Sequence, residues 1–99
     1  MSDSPWFVYL LVCRNGHIYT GVTPHLERRL TAHRLGKGAK YTRSNPPERV
    51  LAINRCKDKS TAMRLEIQVK RMRRETKILL AKAWVAEHPI DELLDRLFA

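Results

Sequence analysis

The stretch VYLLVCRNGHIYTGV, Val8 to Val22, decides how this chain folds and where its chemistry can sit. Arg14-Asn15-Gly16 marks a turn between two apolar runs, and a tyrosine lies on each side of it, Tyr9 and Tyr19. Strand side chains alternate between faces, so the pairing register fixes which residues are neighbours. A two-residue turn, Asn15-Gly16, sets Tyr19 opposite Val12 and Tyr9 opposite Val22, with the tyrosines on opposite faces. It is the commoner loop for Asn-Gly. A three-residue loop, Arg14 to Gly16, sets Leu11 opposite Tyr19 and Tyr9 opposite Gly21. Both phenols then share a face with a glycine, which leaves space for a ligand to approach. Gly16 stands where that loop needs a left-handed residue. The local sequence permits both turns.

Outward from the hairpin, Trp6 to Cys13 is continuously apolar, the pattern of a strand covered on both faces and central in its sheet. Met1 to Pro5 reads as a short polar tail, and His17 to Val22 as the return strand. Thr23 can cap a helix that Pro24 opens, running to about Leu35 and stopping at Gly36. A basic loop covers Gly36 to Pro47, and Glu48 to Lys57 reads as a third strand. Asp58 or Ser60 caps a helix over roughly Thr61 to Arg73, and another runs from about Glu75 to Glu87. Pro89 opens a short amphipathic helix with Ile90, Leu93, Leu94 and Leu97 on one face. The order β-β-α-β-α-α-α predicts an α+β fold, a hairpin plus one strand with helices laid against it. Ninety-nine residues fit one domain, 1–99, with a motif-bearing core of about 6–82 and a C-terminal helical extension of about 83–99. The extension is acidic, and its apolar stripe is expected to pack on the domain, with a dimer contact as the other reading.

The charge narrows the class of partner. Nineteen Lys and Arg against ten Asp and Glu give +9. Between Arg28 and Lys82 seventeen basic residues stand against four acids, a net of +13. Such a field favours a polyanion, nucleic acid first, over a merely soluble basic protein. No apolar run is long enough to span a bilayer, and Met1 to Trp6 lacks a signal-peptide pattern. A cytoplasmic protein with no membrane partner is expected. Cys13 and Cys56 lie in apolar runs without CxxC spacing, and read as buried, reduced thiols.

Three residues break their local pattern. Ala62, Leu65, Val69 and Met72 make an apolar stripe, and Glu66 lies on it. A carboxylate there must be paired or bind a cation. One reading is a salt bridge to Lys70 at i+4; the other is a carboxylate aimed at Mg²⁺, which keeps several waters and takes further oxygens from phosphate. Arg29 and His33 share a face of the first helix, bordering the stripe of Leu26 and Leu30. Arg29 is either one solvated arginine among many or a phosphate grip at a cleft edge. His33 taken alone reads as a boundary histidine, and His17, His25 and His88 form no metal-ligand spacing with it.

Together these residues resemble the GIY-YIG nuclease superfamily, most of all its small stand-alone bacterial members. Its first motif stands here as Phe7-Val8-Tyr9 and its second as Tyr19-Thr20-Gly21. LERRLTAH looks like the arginine helix, with the family arginine at Arg29 and a supporting histidine at His33, and RLEIQVKRM resembles the helix of the metal-binding glutamate, Glu66. IYTG, GKGAKYTR and the LE…KR spacing add to the likeness, which covers about Trp6 to Met72. Phe7 replaces the first-motif glycine, and no asparagine follows Asn54.

The resemblance implies a three-stranded antiparallel sheet flanked by helices, and hydrolysis of DNA phosphodiester bonds dependent on Mg²⁺ or Mn²⁺, in DNA repair or processing. It implies catalytic roles for Tyr9, Tyr19, Arg29, His33 and Glu66. Glu66 would hold the metal, Arg29 and the metal would offset phosphate charge, one tyrosine would take the proton of the attacking water, and His33 would orient a tyrosine. A free phenol titrates near ~10, so such a base needs nearby positive charge. Lys37, Lys40 and Arg43 of the basic loop, with Lys70, Arg71 and Arg74 beyond Glu66, are the expected nucleic-acid contacts. The target is expected to be found through this basic loop, the helix faces, or a protein partner, by a monomer or weak dimer. The alternative is a weak or inactive nucleic-acid-binding module, for DNA or RNA, on the same fold.

Overall fold

The computed structural model describes residues 4–98, so the first three residues of the polar tail lie outside the description. Eight elements follow in order: β1 (Trp6–Cys13), β2 (Ile18–Thr23), α1 (Leu26–Arg34), α2 (Lys40–Ser44), β3 (Pro47–Cys56), α3 (Lys59–Lys70), α4 (Arg74–Glu87) and α5 (Glu92–Arg96). The strands form one antiparallel sheet in the order β2-β1-β3. The uniformly apolar β1 is therefore central, as its sequence predicts, and β2 is an edge. The fold is α+β, a three-stranded sheet flanked by helices with a short C-terminal helix.

Alternation along β1 builds two cores. Val8 and Leu10 point to one face and meet Ala52 and Cys56 of β3, Ala62 and Val69 of α3, and Ala81 and Trp84 of α4. Tyr9 and Leu11 point to the other and meet Leu30 of α1, Val50, Ile53 and Leu94 of α5. Val50 and Ile53 share that face although three residues apart, because the β1–β3 register shifts between Leu10 and Leu11. Cys13 and Cys56 are buried free thiols, and burial pushes both above the usual thiol range.

Several boundaries differ from the sequence reading for local reasons. Thr23 does not open α1; it pairs with Phe7 at the end of β2. Its hydroxyl accepts from the His25 N–H at 3.0 Å, a local turn that holds the chain out of the helix until Leu26. The far end of α1 behaves as expected. Gly36 adopts φ 75°, with Gly36 N–H donating to His33 O and Lys37 N–H to Ala32 O, a Schellman stop. The basic loop contains the short helix α2. Asp58 caps α3 by accepting from Thr61 N–H at 2.8 Å. That helix ends at Lys70, three residues early, because Arg73 turns extended (φ −70°, ψ 160°) as the start of α4. In the C-terminal segment Leu94 is buried and Ile90, Leu97 and Phe98 pack beside it. Leu93, read as part of that stripe, is 66% exposed instead.

Candidate active site

The hairpin resolves the register. Cys13 N–H donates to His17 O at 2.9 Å, and Gly16 N–H donates to Cys13 O at 2.8 Å. Gly16 has φ 86°, the left-handed conformation that closes a three-residue loop. Tyr9 stands opposite Gly21, and Leu11 opposite Tyr19. The two tyrosines share a face, their rings 6.3 Å apart between centroids. Gly21 is required there: a Cβ would overlap the Tyr9 ring and hydroxyl, so the phenol lies across this glycine.

Helix α1 brings His33 between the two rings, with centroids 5.6 Å from Tyr9 and 5.4 Å from Tyr19. His33 is 2% exposed and Tyr9 1%. Tyr9 Oη lies 2.8 Å from His33 Nε2, and His33 Nδ1 lies 2.8 Å from Thr42 Oγ1. Thr42 uses its one hydroxyl proton to donate to Ala39 O at 3.0 Å. Its oxygen must therefore accept from His33, which places the imidazole proton on Nδ1. Nε2 is then the acceptor, and Tyr9 donates its phenolic proton to it. Gly38 closes the back of the ring, where a Cβ would overlap His33 Nδ1. Burial, and then the charge of Arg29, pull His33 down to about 4, so the ring is neutral near pH 7. Burial pushes Tyr9 up to about 12, Arg29 opposes this by hydrogen bonding and charge, and Tyr19 and Glu66 add to the rise.

Those couplings locate Arg29 beside both Tyr9 and His33. It is half-buried while its neighbour Arg28 is exposed, which separates the two arginines of LERRLTAH. Glu66 on α3 is close enough for its charge to act on Tyr9. Its side chain is 13% exposed and its Oε2 lies 3.4 Å from Lys70 Nζ. The i,i+4 salt bridge is thus formed, but at that length and with Lys70 54% exposed it is a weak tie, worth a few tenths of a kcal/mol. Among the described residues no group of three or more His, Cys, Asp or Glu is placed to hold a metal. Glu66 as a single nearby carboxylate fits an ion that keeps its waters, as Mg²⁺ does, and not a protein-caged zinc.

A groove of about 480 Å³ adjoins Tyr19 on the open side. Tyr41 of α2 stacks on Tyr19 at 14° and 6.1 Å. Its hydroxyl meets His17 Nδ1 at 2.8 Å and accepts from Asn15 Nδ2 at 3.2 Å. Lys70, Arg74 and Lys77 line the same groove. Arg74 also donates Nε to Gly16 O at 3.0 Å, so part of its guanidinium holds α4 to the hairpin. Lys37, Lys40, Arg43 and Arg71 are exposed. Sequence reasoning passed over Thr42, Tyr41, Gly38, Asn15 and Lys77. Gly38, Tyr41 and Thr42 all stand in GKGAKYTR, whose two glycines among basic residues are the available signal.

The profile of the GIY-YIG catalytic domain matches residues 5–78. The UPF0213 protein XAC3202 of Xanthomonas axonopodis pv. citri (strain 306) is 47% identical over 85 residues, 86% of this chain and 79% of that protein. The UPF0213 protein H16_B0156 of Cupriavidus necator is 45% identical over 91 residues, 92% of this chain and 95% of that protein. The solution NMR structure of the UPF0213 protein BH0048 from Bacillus halodurans is similar with a TM-score of 0.52 and 42% identity, over 80% of this chain and 84% of that one. No helix of the described residues is long and apolar enough to cross a membrane. With the paired tyrosines of the hairpin, the arginine helix and the glutamate helix all present, the chain belongs to the GIY-YIG family, a catalytic domain of nuclease type.

Proposed function

We propose that this protein is a metal-dependent endonuclease that hydrolyses DNA phosphodiester bonds, in DNA repair or processing. The observation that carries the reading is the convergence of Tyr9, Tyr19, Arg29 and His33 at one point, within the field of Glu66. A protein that only holds nucleic acid has no use for a buried phenol bonded to an imidazole of fixed tautomer.

Tyr9 and His33 act together as the proton acceptor. The Tyr9 proton is already directed at Nε2, so its oxygen can take a proton from the attacking water as its own passes to His33. Thr42 goes on accepting from Nδ1 while the imidazolium exists. Tyr19, half-buried on the groove side, orients the water against the phosphate. Arg29 presents a planar fork to the phosphate oxygens and offsets their charge as it grows. Glu66 would hold a divalent cation, Mg²⁺ or Mn²⁺, which when bound supplies Lewis-acid charge at the scissile phosphate. The exposed Lys37, Lys40, Arg43, Lys70 and Arg71, with the remaining donors of Arg74, hold the backbone on either side.

The test is cleavage of duplex, single-stranded and branched DNA with Mg²⁺, by the wild type and by Glu66→Ala. Loss of on the order of a thousandfold in the variant, with binding retained, is expected. Equal products from both proteins would show a contaminant and sink the enzyme reading.

A further inference from the structure

A second concave surface lies on the other side of the His33–Thr42 layer. It is a cleft of about 670 Å³, and Arg14, Arg34, Arg43 and Arg96 line it. These arginines come from four separate elements: the hairpin loop, the end of α1, α2 and α5. The Arg14 backbone is held beside the cleft by its N–H, which donates to Pro46 O at 2.9 Å. No carboxylate lines the cleft. The ion pairs formed among the described residues are Glu66–Lys70 and Glu92–Arg96, so Arg14, Arg34 and Arg43 face it without an acidic partner. Like charges gathered here from positions up to 82 residues apart are exposed and repel one another only weakly, and an anion held among them would offset that repulsion.

We propose that this cleft is a second phosphate-binding site, which holds a phosphate group of the same nucleic-acid strand that is cut at Tyr9 and Tyr19. The source of the phosphate rests on the nuclease reading; the anion chemistry does not. Guanidinium groups suit the ligand because each offers a planar, bidentate fork to phosphate oxygens. His33 and Thr42 belong to the cleft wall as well as to the catalytic relay, so the two sites are one side-chain layer apart. Leu35 and Leu93, exposed at 54% and 66%, line the cleft as apolar surface against which sugars or bases can pack. Arg96 lies beyond residues 5–78, so the C-terminal extension completes a site that the catalytic domain alone lacks. An internal diester and a terminal monoester present the same chemistry to this cleft.

The experiment compares wild type with the double variant Arg34→Gln/Arg96→Gln, in EDTA so that no cleavage intervenes. Binding of one oligonucleotide, with and without a 5′-phosphate, is followed by anisotropy across salt concentrations. An unchanged melting temperature establishes that the variant is folded. If the ligand is an internal diester, the salt slope falls by about 0.7 for each phosphate that an arginine no longer neutralises, on both oligonucleotides. If it is a terminal monoester, the variant loses only the preference for the phosphorylated one. Unchanged slopes and unchanged preference would overturn the proposal. A second measurement follows the arginine Nε–H signals by NMR during titration with inorganic tripolyphosphate. Arg14, Arg34, Arg43 and Arg96 are expected to shift together in the wild type. Shifts without any nucleic-acid binding would refute the nuclease reading and keep the anion site; no shift in these four would refute the site.

Discussion

The two halves of the candidate site are built in opposite ways. Tyr9, His33 and Thr42 are almost wholly buried, and each hydrogen bond is matched to a partner down to the Ala39 carbonyl. Tyr19 and Lys70 line the open side, where the Glu66–Lys70 ion pair is long and the other polar contacts, Tyr41 with His17 and Asn15 and Arg74 with Gly16 O, lie at the exposed surface. A closed relay keeps its tautomer without substrate, since water cannot compete for its protons. An open half leaves its charges exchangeable, which a phosphate and a hydrated cation require. Rigidity thus lies with the buried Tyr9–His33–Thr42 chain, and freedom with the groove beside Tyr19.

The closed half can be broken by pH. The His33 pKa is lowered from 6.5 to about 4 on folding, so the fold favours the neutral ring. That stability is complete above the unfolded value and is lost as pH falls from 6.5 through about 4, a total of roughly 3 kcal/mol. Chemical denaturation between pH 7 and 4 should show the loss in wild type and a flatter profile in His33→Gln. The same slope in both would move the titration elsewhere.

Gly21→Ala attacks the closed half by volume. The new methyl overlaps a buried Tyr9 ring with nowhere to move, which should cost roughly 1–3 kcal/mol and displace the phenol from His33. A variant as stable and as active as wild type would mean that Tyr9 need not lie across β2.

Thr42→Val keeps the shape and removes the acceptor. His33 Nδ1–H is then a buried donor without a partner, at a cost of about 1–3 kcal/mol, toward the lower end if the ring changes tautomer. Nitrogen NMR should show the Nδ1–H form alone in wild type and in Thr42→Ser, and a mixture in Thr42→Val. A single unchanged tautomer in all three would show that Thr42 does not set it.

The smallest effects belong to the exposed basic segment around α2. Neutralising Lys37, Lys40 and Arg43 should leave stability unchanged and weaken binding alike across sequences. The salt slope should fall by about 0.7–0.9 for each phosphate that is no longer neutralised. An unaltered slope would place the strand elsewhere.

Much of this is legible in the sequence. The central strand follows from an unbroken apolar run, because only a strand covered on both faces tolerates one. Gly36 reads correctly as the stop of α1, and Asp58 is one of the two caps the sequence offers for α3, because caps and left-handed stops are local chemistry. Glu66 draws attention by violating the stripe that its neighbours make regular, whereas Arg29 only borders its stripe and is singled out by the family resemblance. Thr23 misleads for the same local reason: its side chain does bond to nearby backbone, but as a turn closing β2 rather than as a cap. Thr42 and Tyr41 stay hidden, since an ordinary Thr or Tyr in a basic loop violates no pattern.

By itself the sequence determined the three strands, the longer helices, their order and the residue types able to handle phosphate, but not the short α2, because periodicity, capping and charge act over a few neighbours. It left open the loop length at Asn15-Gly16, and with it whether Tyr9 and Tyr19 meet. Tertiary structure decided that, since both loops suit the local chain and only one lays Tyr9 across Gly21 against His33. It alone also fixed the His33 proton, through a threonine nine residues away, and gathered four distant arginines around one cleft.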